Sequence, residues 1–193
     1  QAVRDAFSGV VLLQSGSNVG IAAGNNLGIR KALSLGTDYV FLLNNDTVVD
    51  PDMLGQLIRV SESDVAIGIV APLMLVYDSP DTVWCAGASL NPESGSTTRH
   101  LAGASQSAVD PMQLSEVSFS PTCAVCIKQR LFSSVGLMDE RFFIYYDDTD
   151  WFARVVDLGL RVVFVPQAKM WHRVSATTGP TSPVTDYYMV RNQ

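Results

Sequence analysis

The sequence predicts an α/β fold: a mixed, mostly parallel sheet flanked by helices. Two apolar runs, at 39–43 and 65–70, suggest strands. The first is continuous, which suits a central strand covered on both faces, as in parallel sheets. A helical pattern precedes it, with Ile29, Ala32 and Leu33 at i, i+3 and i+4 and Gly36 as a stop. Between the two runs, Asp50-Pro51 reads as a helix start, an acidic cap followed by proline at the first helical position. The resulting βαβαβ rhythm indicates a sheet with helices packed on it.

Taken in order, VVLLQ at 10–14 is a short strand, 24–35 a helix, 39–43 a strand, the stretch after Pro51 a helix, and 65–70 a strand. Residues 77–115, rich in Ser, Gly, Thr and Pro, read as a long excursion with a strand around 83–86. A strand near 117–127 follows, then a short helix over Leu131, Phe132 and Val135 stopped by Gly136. The helix at 148–158 places Trp151, Phe152, Val155 and Leu158 on one stripe. RVVFV (161–165) and AKMWH (168–172) are read as two separate strands.

The chain's 193 residues fit one domain, 1–193. Its composition is 47% hydrophobic and 17% charged, yet it has no apolar run of the roughly 18 residues needed to span a bilayer. A net charge of −6, with the basic residues scattered, argues against a nucleic-acid partner. Cys123 and Cys126 invite a zinc or redox reading. Positions three apart on a regular strand point to opposite faces, so buried thiols acting as small hydrophobes are the better account. An odd cysteine count without a signal sequence suits a reducing cytoplasm. A start on Gln1, with a strand beginning within about ten residues, reads as a piece of something longer.

Several clusters carry chemistry. Asn44, Asn45, Asp46 and Thr47 close a strand, and open α/β sheets bind ligands beyond the carboxyl ends of their strands. A carboxylate there can hold a hard divalent cation that clamps phosphates; a polar turn explains the same residues. In the stretch from Asn18 to Asn26, Gly20 and Gly24 allow close backbone approach and Asn25 and Asn26 offer donors and acceptors, although turn-making and capping explain much of it. Asp147, Asp148 and Asp150 crowd one helix start, more acids than capping needs, which points to a general base. The aromatics before them, Phe142, Phe143, Tyr145 and Tyr146, suit either a core or a face for a sugar ring. His172 becomes a metal ligand only with partners, and His100 reads as an ordinary polar residue.

In this order, NVGIAAGNNLGIRKAL, YVFLLNNDT, GLMDERFFIYYDDTDWFARVVDLG, the WH pair and DYYMVRN resemble family 2 glycosyltransferases, in particular the rhamnosyltransferase-like branch. The resemblance covers nearly the whole chain. It implies a GT-A (Rossmann-like) fold and inverting transfer of a sugar, with rhamnose the branch's guess, from a nucleotide-diphosphate donor to a glycan or lipid-linked acceptor hydroxyl. It also implies that Asp46 binds Mn2+ or Mg2+, that His172 completes the metal site, and that Asp148 is the catalytic base. Asn18, Gly20, Gly24, Asn25, Asn26, Asn44 and Asn45 would then line the nucleotide pocket.

The chain departs from the family pattern at Asn44, which replaces the first Asp of the metal signature, and at Asp147, which stands where Glu is usual. Members of the family begin with a βαβ unit that reads the nucleotide base, and this chain starts after it. Lipid-linked acceptors fit peripheral contact with the inner membrane face, while the oligomeric state is unspecified. As a base near a helix amino end, Asp148 is expected to be ionised at neutral pH. The rival readings are a nucleotidyltransferase, which would display a basic glycine-rich loop, and a non-catalytic carbohydrate-binding or scaffolding remnant.

Overall fold

A computed structural model describes residues 2–173 and 182–193. Its elements are α1 (Ala2–Ala6), α2 (Gly20–Ser34), β1 (Tyr39–Leu43), β2 (Thr47–Val49), α3 (Met53–Ser63), β3 (Ile67–Val76), β4 (Ser79–Cys85), β5 (Ala88–Leu90) and β6 (Thr97–Arg99), followed by β7 (Ser115–Val117), β8 (Ala124–Lys128), α4 (Asp147–Asp157), β9 (Arg161–His172) and α5 (Pro183–Asn192). Short 3-10 turns at Gln106–Ala108 and Gln129–Ser133 complete the set.

The main sheet runs β1-β8-β3-β9-β2, with β4 also on β3 and β7 also on β9. Strands β1, β3 and β9 point the same way, and β8 is inserted antiparallel between β1 and β3. The sheet is therefore mixed: among the described strands the long β3–β9 ladder is parallel and the other pairings are antiparallel. Beyond the main sheet, β5 and β6 form a separate hairpin.

β3 and β9 are long enough to change neighbours along their length. Ile69 and Val70 face β8, whereas Met74 to Val76 face β4. On β9, Val162 to Phe164 face β7 and Met170 to His172 face β2. The β3–β9 register shifts between Pro72 and Leu73, where Val165 gives way to Lys169 as partner. Pro72 and Pro166 both sit at this break, and neither has an amide hydrogen to give a ladder. The two strands expected at 161–165 and 168–172 are thus one strand with a proline bulge, which re-aims the half that ends in His172.

Helical periodicity explains how the helices attach. On α2 the buried positions are Ala22, Asn26 and Ile29, and on α3 they are Met53, Leu57 and Ser61, each spaced along one face. On α4 the buried positions are Asp147, Trp151, Phe152 and Val155. Trp151 is fully enclosed and donates its indole N–H to the Gly136 carbonyl at 3.0 Å, so burial leaves its polar atom satisfied. Phe152 meets Phe119 edge-on, with centroids 5.3 Å apart.

Four further expectations are corrected. Residues 10–14 form no strand; Val10 to Leu13 are exposed, and no described strand pairs with them. β1 is an outer strand of the described sheet, paired on one side only, instead of a central one. The strand read at 117–127 breaks into β7 and β8, with non-strand residues between them that lead past Pro121. Leu158 is 51% exposed and lies outside the stripe, since α4 ends at Asp157 with Leu158 as its cap.

Candidate active site

The sheet positions Asp46 from two directions. Where β1 ends, the Asn44 amide donates to the Cys123 carbonyl at 2.9 Å, and the Thr47 hydroxyl donates to the Asn44 carbonyl at 2.7 Å. The chain then reverses into β2, where Thr47 lies opposite His172, and the Arg173 amide donates to the Asp46 carbonyl at 3.0 Å. This pairing brings His172 Nε2 to 3.2 Å from Asp46 Oδ1. The two atoms are close, but their alignment is not that of a hydrogen bond, so Asp46 Oδ1 and His172 Nδ1 are both buried without a partner. Such orphaned polar atoms are rare in native interiors and call for a ligand, water or ion. Trp84 packs edge-on against the His172 ring at 4.9 Å and restricts its orientation, while the Arg99 guanidinium lies over Trp84 at 4.8 Å.

The acid cluster comes from the start of α4. Tyr145 and Tyr146 precede it with φ of 64° and 65°, consecutive left-handed residues that each cost on the order of 1–3 kcal/mol. Such strain persists only where the surroundings enforce it, and here it swings the chain so that Asp147 and Asp148 open the helix. Asp147 is 4% exposed, and its Oδ2 has no partner. Burial, reinforced by the neighbouring Asp148 charge, pushes its carboxyl up to about 7. Asp148 keeps partial solvent access and accepts the Thr149 amide at 2.9 Å, and the Thr122 amide also bonds to it. Desolvation nevertheless raises its pKa, outweighing these hydrogen bonds. Burial therefore acts on the Asp148 proton against the helix amino end, and it is the larger influence.

Residues 122–123 link the two groups. Thr122 donates to Asp148, and the next carbonyl, Cys123, receives Asn44, two residues before Asp46. The buried Cys123 thiol is pushed well above its ordinary value, first by burial, then by the neighbouring Cys85 thiol and the Asp148 and Asp46 carboxylates. Both carboxylates thus act on the same sulfur. Cys85 and Cys126 are likewise free and buried, each pushed up to about 12. These are protonated core thiols. Sequence reasoning missed Thr122, which contributes a backbone amide that no side-chain pattern reports. It also missed Trp84, whose role exists only through a neighbour 88 positions away.

Asp46 and His172 offer one oxygen and one nitrogen donor, a set that suits Mn2+ or Mg2+ if ligand oxygens complete the shell. Among the described residues, no group of three or more His, Cys, Asp and Glu is arranged to hold a metal by itself. Two hollows of about 500 and 520 Å3 lie elsewhere, one on the β5–β6 hairpin around Asn91 and Ser96, the other beside Tyr39 and Lys128. Neither is lined by Asp46, Asp148 or His172.

The Asn18–Asn26 stretch starts the helix earlier than expected, at Gly20. Asn18 Oδ1 accepts the Gly20 amide at 3.1 Å, and the Ile21 amide donates to the Phe143 carbonyl at 2.7 Å, tying α2 to the segment that leads to the acids. Gly24 is exposed and Asn25 half-buried, within contact of Met138 Sδ. Asn26, 1% exposed, is taken up by the Met138 backbone on both sides and by Glu140. Asn44 and Asn45 are exposed beside Asp46. The aromatics at 142–146 are only half-buried; Phe143 stacks on Tyr188 of α5.

Comparison with known proteins bears on the fold and the family. The chain is 36% identical over 74 residues to dTDP-rhamnosyl transferase RfbF of Shigella flexneri, a match covering 34% of this chain and 25% of that protein. The match therefore spans only about a quarter of the curated relative's length. Among solved structures, GalNAc-T7, crystallised with UDP, GalNAc and Mn2+, superposes with a TM-score of 0.70 at 14% identity, over 97% of this chain and 38% of that one. This likeness shows the GT-A fold. The profile described as Glycosyl transferase family group 2 matches residues 39–189, most of the chain, and the chain therefore belongs to that family of glycosyltransferases.

Proposed function

We propose that the chain carries the core of an inverting, metal-dependent glycosyltransferase. It would move a sugar from a nucleotide-diphosphate donor to an acceptor hydroxyl in polysaccharide or glycolipid synthesis. The observation that carries this reading is the orphaned Asp46–His172 pair, joined through residues 122–123 to a carboxylate of raised pKa, Asp148. The similarity to a dTDP-rhamnosyl transferase supports rhamnose as the sugar.

In this reading Asp148 accepts the acceptor hydroxyl's proton while that oxygen attacks the anomeric carbon. The bond from that carbon to the diphosphate breaks on the opposite face, and configuration inverts. Asp46 and His172 would hold Mn2+ or Mg2+, which supplies positive charge where the leaving diphosphate becomes more negative. Asn44 and Asn45, exposed next to Asp46, and Asn18, Gly20, Gly24 and Asn25 border the donor; Asn26 serves by holding the Met138 segment in place. A glycan or lipid-linked acceptor suits work at the cytoplasmic face of a membrane. No described helix is long and apolar enough to cross one.

Calorimetry with dTDP and UDP tests the donor site. Tighter binding with Mn2+ than with EDTA is expected, whereas a carbohydrate-binding module would take glycans without metal and ignore the nucleotides. Asp148→Asn tests the chemistry: turnover should fall about 100-fold or more with nucleotide binding kept. Unchanged turnover would remove Asp148 from its role.

A further inference from the structure

The turn that delivers Asp148 is held from a distant part of the chain. Asn192 Nδ2 donates to the carbonyls of Ile144 and Tyr145, both at 2.9 Å, immediately before and within the left-handed pair Tyr145–Tyr146. Arg191 reaches the Arg141 carbonyl at 3.2 Å, and the Tyr145 hydroxyl lies 3.1 Å from Thr185 Oγ1. Tyr188 stacks on Phe143 with centroids 5.3 Å apart. All these contacts run from α5 to residues 141–145. The helix itself has no buried residue, and Val184, Tyr187 and Val190 remain exposed. Core-building therefore does not explain α5.

A left-handed turn directs its carbonyls away from regular helix or strand partners, so an outside donor is what stabilises it. We propose that Asn192 is a positioning residue: its amide locks the Tyr145–Tyr146 turn and thereby fixes the direction in which Asp148 faces the acceptor hydroxyl. This rests on Asp148 being the base, as proposed above. Thr185 supports the same turn through Tyr145, as a secondary clamp.

The test measures nucleoside diphosphate release from dTDP- and UDP-sugars for N192A, N192L and T185V, each alone and combined with D148N. Loss of the Asn192 amide should lower kcat by about tenfold or more, with donor KM and Mn2+-dependent nucleotide affinity within about threefold. T185V should give a smaller loss of the same kind. Because Asn192 acts through Asp148, N192L should take nothing further from D148N. The amide NMR signals of Thr122 and Thr149, the two donors to Asp148, should move in N192L, a readout independent of turnover.

Unmoved signals, an unchanged kcat, or a loss that adds fully to that of D148N would each overturn the inference. Should N192A fail to fold by circular dichroism, N192L and T185V decide. Full turnover in D148N sinks the base assignment and this inference together. A collapsed D148N beside a silent N192L sinks this inference alone.

Discussion

Thr47 and His172 are cross-strand partners, so the β2–β9 ladder holds the backbone of Asp46, one residue before Thr47, beside that of His172, and their side chains lie 3.2 Å apart. Backbone placement of this kind would lower the ordering cost of gathering an ion and a diphosphate in the proposed role. Replacing either side chain by alanine should therefore reduce Mn2+-dependent nucleotide affinity by at least about tenfold, while the EDTA value stays put. Calorimetry of D46A and H172A against the parent chain checks this.

Asp147 gives a pH signature. Its folded pKa, about 7, stands above the ordinary 3.8. Because the buried acid prefers its proton, its contribution to stability is complete below the unfolded value and disappears as pH rises through the folded one. The thermal midpoint of the parent chain should accordingly fall relative to D147N between about pH 4 and pH 8. The difference between the two chains removes the opposing trends of Asp64, Asp139 and Glu140, whose pKa values are lowered.

Turnover should carry a related mark. With its carboxyl raised by desolvation, Asp148 in its proposed role would lose base function as pH falls through a value above the usual carboxylate range of about 4. The acid limb of the kcat profile for the parent chain should lie above that range. A limb at or below it would mean the group is hydrated during catalysis.

Gly20 is a backbone requirement. Its φ is +84°, and a Cβ there would stand 2.3 Å from the Phe143 carbonyl oxygen, which accepts the Ile21 amide. Gly20→Ala should destabilise the chain by about 1–3 kcal/mol, read from denaturant midpoints. It should also disturb the acid turn that follows Phe143, so turnover should fall with stability.

How much of this the sequence disclosed follows from the range of the interactions involved. α2, α3, α4 and β1 were legible because periodicity is local, although the Asp50-Pro51 start signal fell two residues early: α3 begins at Met53 with Asp52 in the cap position. VVLLQ misled because apolar content alone cannot supply a neighbour, and a strand forms only where a partner ladder exists. Residues 161–165 and 168–172 read as two strands, yet the parallel ladder with β3 resumes after a register shift. Within the site, Asp46, Asp148 and His172 were flagged by residue type and by resemblance. The orphaned atoms and the direction of the Asp148 shift depend on burial, which emerges only when distant segments pack. Asn192 carried no signal of its own role, since the carbonyls it serves lie 47 and 48 positions earlier.

Cys85, Cys123 and Cys126 are sealed inside the fold with their protons held tightly. Alkylating reagents and mild oxidants need an accessible thiolate, so the native chain gives them nothing to attack. Iodoacetamide labelling would consequently proceed only as fast as molecules open. The chain carries its own built-in clock for breathing and unfolding, one that runs without any added dye or engineered probe.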